Sequence, residues 1–216
     1  MSEWQAGYKA DRGRTYEDVE NLGWTIRMRF APNISATEEF PASDAYDSLH
    51  EHTVDVSGRQ VRLDHAVADL PADLLGLTTY DAEKDMVVVA LSVTTYRALM
   101  RGNPRASFSV CHELGHVFAH TAQVIRMSTI PHRAAALQRG EWSTHRPCQD
   151  TEWQANATAA AILMPARGLI EMAMAKRDGK LDPNEVRTTF GVSGEAAARR
   201  VLVFNEHFGV GKKGRR

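Results

Sequence analysis

The chain lacks most of the features that would settle its class at a glance. It has two cysteines, Cys111 and Cys148, in 216 residues. That is too few, and too widely spaced, for a disulfide framework or a C-x-x-C pair. No uninterrupted apolar run reaches the ~18 residues of a membrane-spanning candidate; "ILMPARGLIEMAMA" is broken by Pro165, Arg167 and Glu171. Residues 1–14 are polar and charged, without the apolar core of a secretory signal. Net charge is nearly absent at −1, which argues against a general polyanion binder. Internal repeats and low-complexity tracts are missing too. These absences lead us to expect a cytoplasmic chain with reduced thiols and no membrane partner.

What is present suits a soluble globular protein, with 43% hydrophobic and 25% charged residues. The length fits one domain of ordinary size with a small appendage. Charge is unevenly spread: residues 38–85 hold twelve carboxylates against Arg59, Arg62 and Lys84, and residues 199–216 hold six bases against Glu206. A solvated acidic face and a frayed basic tail account for this.

Periodicity supplies the elements. "TYEDVENLG" reads as a short helix stopped by Gly23, and the alternating "WTIRMRF" predicts a half-buried strand over 24–30. Residues 31–58, polar and carrying Pro32 and Pro41, read as a long loop or insertion. "RQVRLDH" and "DMVVVALS" predict strands over 59–65 and 86–92, and "TTYRALM" a short helix closed by Gly102. Asn103 as cap and Pro104 at the first helical position open a long helix over 104–120. After an irregular 121–150, a second helix over 151–164 begins with a T-x-x-Q pattern, Thr151 with Gln154, and ends at Pro165. The expected fold is α+β: a small twisted, mainly antiparallel sheet packed on these two helices, with a helical C-terminal extension. We expect one domain over 1–168 and a small helical region with a basic tail over 169–216. In the latter, "VRTTFGVSGEAAARR" has helix-turn-helix spacing with Ser193 as a cap.

The chemistry concentrates in "FSVCHELGHVFAH", residues 108–120. Residues four apart lie on one face of a helix, so His112 and His116 can present two imidazoles to one cation with Glu113 beside them. That is H-E-x-x-H, two zinc ligands and a carboxylate able to take a proton from water. The competing interpretation is a helix with surface histidines. His120 extends the series, but it lies about 6 Å further along the axis, and no glycine follows His116 to turn the chain back. It is expected beside the site or on the surface.

A third ligand must come from elsewhere. Glu152 is the only charged side chain between Thr151 and Ala166, on a segment of alanines and aliphatics suited to burial. A lone buried carboxylate is costly unless it meets a positive partner, and a cation held by two histidines is one. Glu152 would complete a His₂Glu set with one open position. Asn156, one turn on, could accept from the outward N–H of a ligand imidazole. The alternative for Glu152 is a carboxylate favoured by a helix N-terminus.

"HELGH" followed by "EWQANATAAAILMP" resembles the ImmA/IrrE family of zinc metallopeptidases. The likeness extends through "LLGLTTYD", "MVVVALS" and "FGVSGEAAARR". It implies a zincin-like fold, one Zn²⁺ per chain on His112, His116 and Glu152, and Glu113 as catalytic base. It also implies a cytoplasmic zinc-dependent endopeptidase whose protein substrate is a helix-turn-helix repressor of a mobile element or stress response. Thr158 and Cys111 depart from the family pattern and bear on packing. Both thiols are expected to be buried and inert. No oxyanion-stabilising residue can be assigned among Arg126, His132, Arg133, His145 and Arg146. A second interpretation is a non-proteolytic zinc-containing regulator that binds a repressor or DNA through its C-terminal helices, direct DNA binding being the weaker option.

Overall fold

The computed structural model describes residues 8–128 and 145–208. The first helix, α1 (Tyr16–Phe30), opens with a reciprocal cap: Thr15 Oγ1 accepts from the Asp18 amide, and Asp18 accepts from the Thr15 amide. This corrects two expectations. Gly23 does not stop the helix, and residues 24–30 form its second half rather than a strand. The buried positions Val19, Gly23, Ile26 and Arg27 follow a helical stripe. Gly23 sits where α1 crosses a later helix, and a Cβ there would stand 2.6 Å from the Ala161 Cβ.

Residues 31–58, expected as a loop, contain α2 (Ala42–Asp47), a 3₁₀ turn (Leu49–Glu51) and β1 (Thr53–Val56). Much of this segment is organised by Arg27, which is 0% exposed. Its guanidinium donates to the carbonyls of Ser35, Glu38 and Ile162. Burial pulls its pKa down to about 10, which still leaves it charged at neutral pH.

Three further strands follow: β2 (Arg59–Ala68), β3 (Gly76–Asp81) and β4 (Met86–Ser92). The sheet order is β1-β2-β4-β3, with β1–β2 and β3–β4 antiparallel and β2–β4 parallel. The α+β class and a mainly antiparallel sheet are therefore as expected. The composition of the sheet is corrected, since β1 and β3 take the place of the expected 24–30 strand. After α3 (Val93–Leu99), Asn103 Oδ1 accepts from the amides of Arg105 and Ala106 and starts α4 (Pro104–Ser128). Val61, Leu63, Val87, Val89 and Leu91 from the sheet join Val110, Leu114 and Val117 of α4 in one core.

The helix α5 (Thr151–Leu163) lies against α4 and α1. Its cap is Asp150, whose Oδ1 accepts from the Trp153 amide at 2.8 Å, so the expected Thr151–Gln154 box is not formed. Then come α6 (Ala166–Met174), α7 (Pro183–Phe190) and α8 (Gly194–His207). Gly191, at φ +61°, turns the chain between the last two, and Ser193 caps α8 as expected. Phe190, Val201 and Phe204 of this pair belong to the same core as the sheet. Among the described residues, no helix is long and apolar enough to cross a membrane; α5 and α6 pass that test only together, bent by 45°.

Candidate metal centre

Three successive turns of α4 present His112, His116 and His120, and the first turn of α5 presents Glu152. What brings the helices together is Gly115. A Cβ there would lie 3.0 Å from both the Cα and the carbonyl oxygen of Ala155, so any larger residue would press α5 outward. Ala155 is one turn beyond Glu152, and the close crossing sets that carboxylate over the two imidazoles.

His112 Nε2 and His116 Nε2 are 3.0 Å apart. Glu152 Oε2 is 3.3 Å from the first, and Oε1 is 3.2 Å from the second. Ligands about 2.0–2.1 Å from a tetrahedral zinc ion are separated from one another by roughly 3.3 Å, so the donor set has the right spacing. Glu152 Oε1 is buried and in no hydrogen bond, although it stands within ion-pair distance of His116. An orphaned carboxylate oxygen facing two imidazole nitrogens fits a cation. Burial opposes the charge on Glu152, yet the adjoining His112 and His116 imidazoles outweigh it and hold the carboxyl well below the usual range. Burial alone would lower His112, but the Glu152 hydrogen bond and the charge of Glu113 raise it.

The structure thus brings together His112, His116 and Glu152, and sets Asn156 Oδ1 3.0 Å from His112 Nδ1. His120 is turned away from the cluster. It is 3% exposed, which excludes the surface option. Burial and the neighbouring His116 pull its pKa down to about 3. Cys111 is buried, as expected, and burial raises its thiol well above the ordinary range. Cys148 is partly exposed, contrary to expectation, because it lies in the short turn before α5.

Glu113 is 2% exposed and lies beside the cluster. Thr78 Oγ1, from edge strand β3, donates to Glu113 Oε2 at 2.7 Å. A cleft of about 250 Å³ opens over these groups, with Leu74, Leu75 and Phe108 on its walls. Of the side chains considered for oxyanion stabilisation, His132 and Arg133 lie outside the described residues. Arg126 pairs with Asp11, His145 contacts Asp150 at 3.0 Å, and Arg146 is exposed; none of the three lines the cleft. Thr78 and Gln154 were missed by sequence reasoning. A neutral hydrogen-bonding residue on a strand or helix carries no spacing signature that singles it out.

Residues 102–202 match the family model Peptidase_M78, described as IrrE N-terminal-like domain. No curated protein matches. A solved structure, a Mycobacterium tuberculosis transcriptional regulator, superposes with TM-score 0.47 at 19% identity, over 85% of this chain and 46% of that one. The chain therefore spans about half the length of that relative. The match over 102–202 takes in α4 with both histidines and α5 with the carboxylate, and it supports membership of the ImmA/IrrE family.

Proposed function

We propose that this protein is a zinc-dependent endopeptidase with Glu113 as its general base. The observation that carries the proposal is the convergence of His112, His116 and Glu152 at 3.0–3.3 Å beside a cleft that also holds Glu113. When bound, zinc would polarise a peptide carbonyl and lower the pKa of water. The chain supplies the rest. His112, His116 and Glu152 would hold the ion and leave the cleft side open. Asn156 would fix the His112 ring by accepting its Nδ1 proton. Glu113, kept in place by Thr78, would take the proton of the attacking water and deliver it to the departing amine. The described residues that converge on the cluster number three, which favours an open, catalytic site over a purely structural one closed by a fourth protein ligand.

Glu113→Gln is expected to abolish peptide cleavage while zinc stays near one per chain by metal analysis. Full activity in that variant would refute the mechanism. For the substrate, we infer a basic protein, a helix-turn-helix repressor, which the acidic 38–85 region would suit. Co-expression with such a repressor should produce one defined cut that disappears with Glu113→Gln. An intact repressor alongside zinc-loaded protein would count against this substrate.

A further inference from the structure

His116 is the more deeply buried of the two histidines in the cluster, and its second nitrogen does not meet solvent. His116 Nδ1 lies 3.2 Å from His120 Nδ1, and His120 Nε2 lies 3.0 Å from Gln154 Oε1. The far end of the Gln154 amide fixes its orientation. Nε2 donates to the carbonyls of Arg12 at 2.8 Å and Cys148 at 2.9 Å. With its NH₂ committed to two carbonyls, Gln154 can offer His120 only an acceptor. The proton between them therefore sits on His120 Nε2.

That leaves His120 Nδ1. Were it protonated too, a buried imidazolium would face a neutral amide and another imidazole, with no counter-charge in contact among the described residues. His120 is neutral, its Nδ1 is a bare lone pair, and the proton in the His116–His120 contact belongs to His116. His116 Nε2 is then bare as well, and it points at Glu152 and His112.

We propose that His120 and Gln154 are positioning residues that hold His116 in the one tautomer able to donate to a divalent cation. The relay is anchored on segment 8–14, which pairs with the turn before α5 through Ala10 to Gln149 at 2.8 Å and Arg14 to Cys148 at 2.9 Å. This rests on the reading of His116 as a metal ligand. Asn156 does the same for His112 directly, so the two imidazoles are oriented by separate means. Helical spacing makes His120 look like a third ligand; it serves the second one instead.

The test uses full-length protein carrying ¹⁵N-labelled histidine. Long-range ¹H–¹⁵N spectra should show His120 as the neutral Nε2–H tautomer both with and without zinc, and His116 as Nδ1–H in the zinc-loaded protein. His120 as Nδ1–H or as imidazolium overturns the relay. Independently, competition against a chromogenic chelator should show zinc bound about 10–100-fold more weakly by His120→Leu. Wild-type affinity in that variant also overturns it. Should His120→Leu fail to fold, the spectra of the unsubstituted protein decide alone. If the unsubstituted protein takes up no zinc, the ligand assignment fails, while the His120 tautomer still decides the relay.

Discussion

The Glu113 carboxylate accepts from the Thr78 hydroxyl at 2.7 Å where both residues are buried, so its direction is set by an edge strand rather than by its own helix. A hydrogen bond to a charged group contributes about 1.5–3 kcal/mol. Thr78→Val should therefore lower kcat on a peptide substrate by about 10–100-fold, with zinc content unchanged and Thr78→Ser largely restoring the rate. Unaltered kcat in Thr78→Val would show that Glu113 needs no such support. Individual residues differ in how far the sequence betrays them. His112 and His116 were legible because two histidines four apart on a helix, with a glutamate beside the first, form a recognisable pattern. Glu152 was legible because it is a solitary charge on an apolar segment. Thr78 and Gln154 act through neutral hydrogen bonds, which leave no comparable trace, and Gln154 mimicked a capping residue.

Between elements, the decisive contact is α4 against α5 at Gly115. Replacing a glycine inside a helix by alanine ordinarily stabilises by about 1 kcal/mol. Here the new methyl would meet the Ala155 backbone at 3.0 Å, and a backbone cannot swing aside as a flexible side chain would. Gly115→Ala should instead destabilise the metal-free protein by about 1–2 kcal/mol in urea unfolding. It should also weaken zinc binding, because α5 can retreat only by carrying Glu152 with it. A variant more stable than the parent, with unchanged zinc affinity, would contradict this account of the crossing. The same kind of contact explains the misread strand over 24–30. "WTIRMRF" alternates, but Gly23 and Ile26 are buried on a helical stripe together with Arg27, a residue that patterning assigns to solvent. A buried arginine is invisible to a hydrophobic period. With it went the organisation of 31–58, whose carbonyls Arg27 binds.

Across the whole molecule, one ion pair joins elements from opposite ends of the chain. Glu20 on α1 accepts from Arg200 of α8 at 2.5 Å, and its other oxygen accepts from the Ala166 amide at 3.0 Å, where α6 begins. Arg200 is 4% exposed and also donates to the Met164 carbonyl at 2.9 Å. The pair therefore fixes α8 against α1 and the α5–α6 junction, just beyond the helix that carries Glu152. Removing one member of a buried pair leaves the other charge uncompensated, at a cost of about 3–5 kcal/mol. Glu20→Ala should approach that loss, and Glu20→Gln, which keeps an acceptor for the Ala166 amide, should lose less. Glu20→Leu combined with Arg200→Met should be more stable than Glu20→Ala alone, because no orphaned guanidinium remains. Urea unfolding of the three proteins reads this order directly. If Glu20→Ala cost no more than a surface substitution, about 0.5 kcal/mol, then apolar packing around Phe190, Val201 and Phe204 would be what holds the C-terminal helices in place.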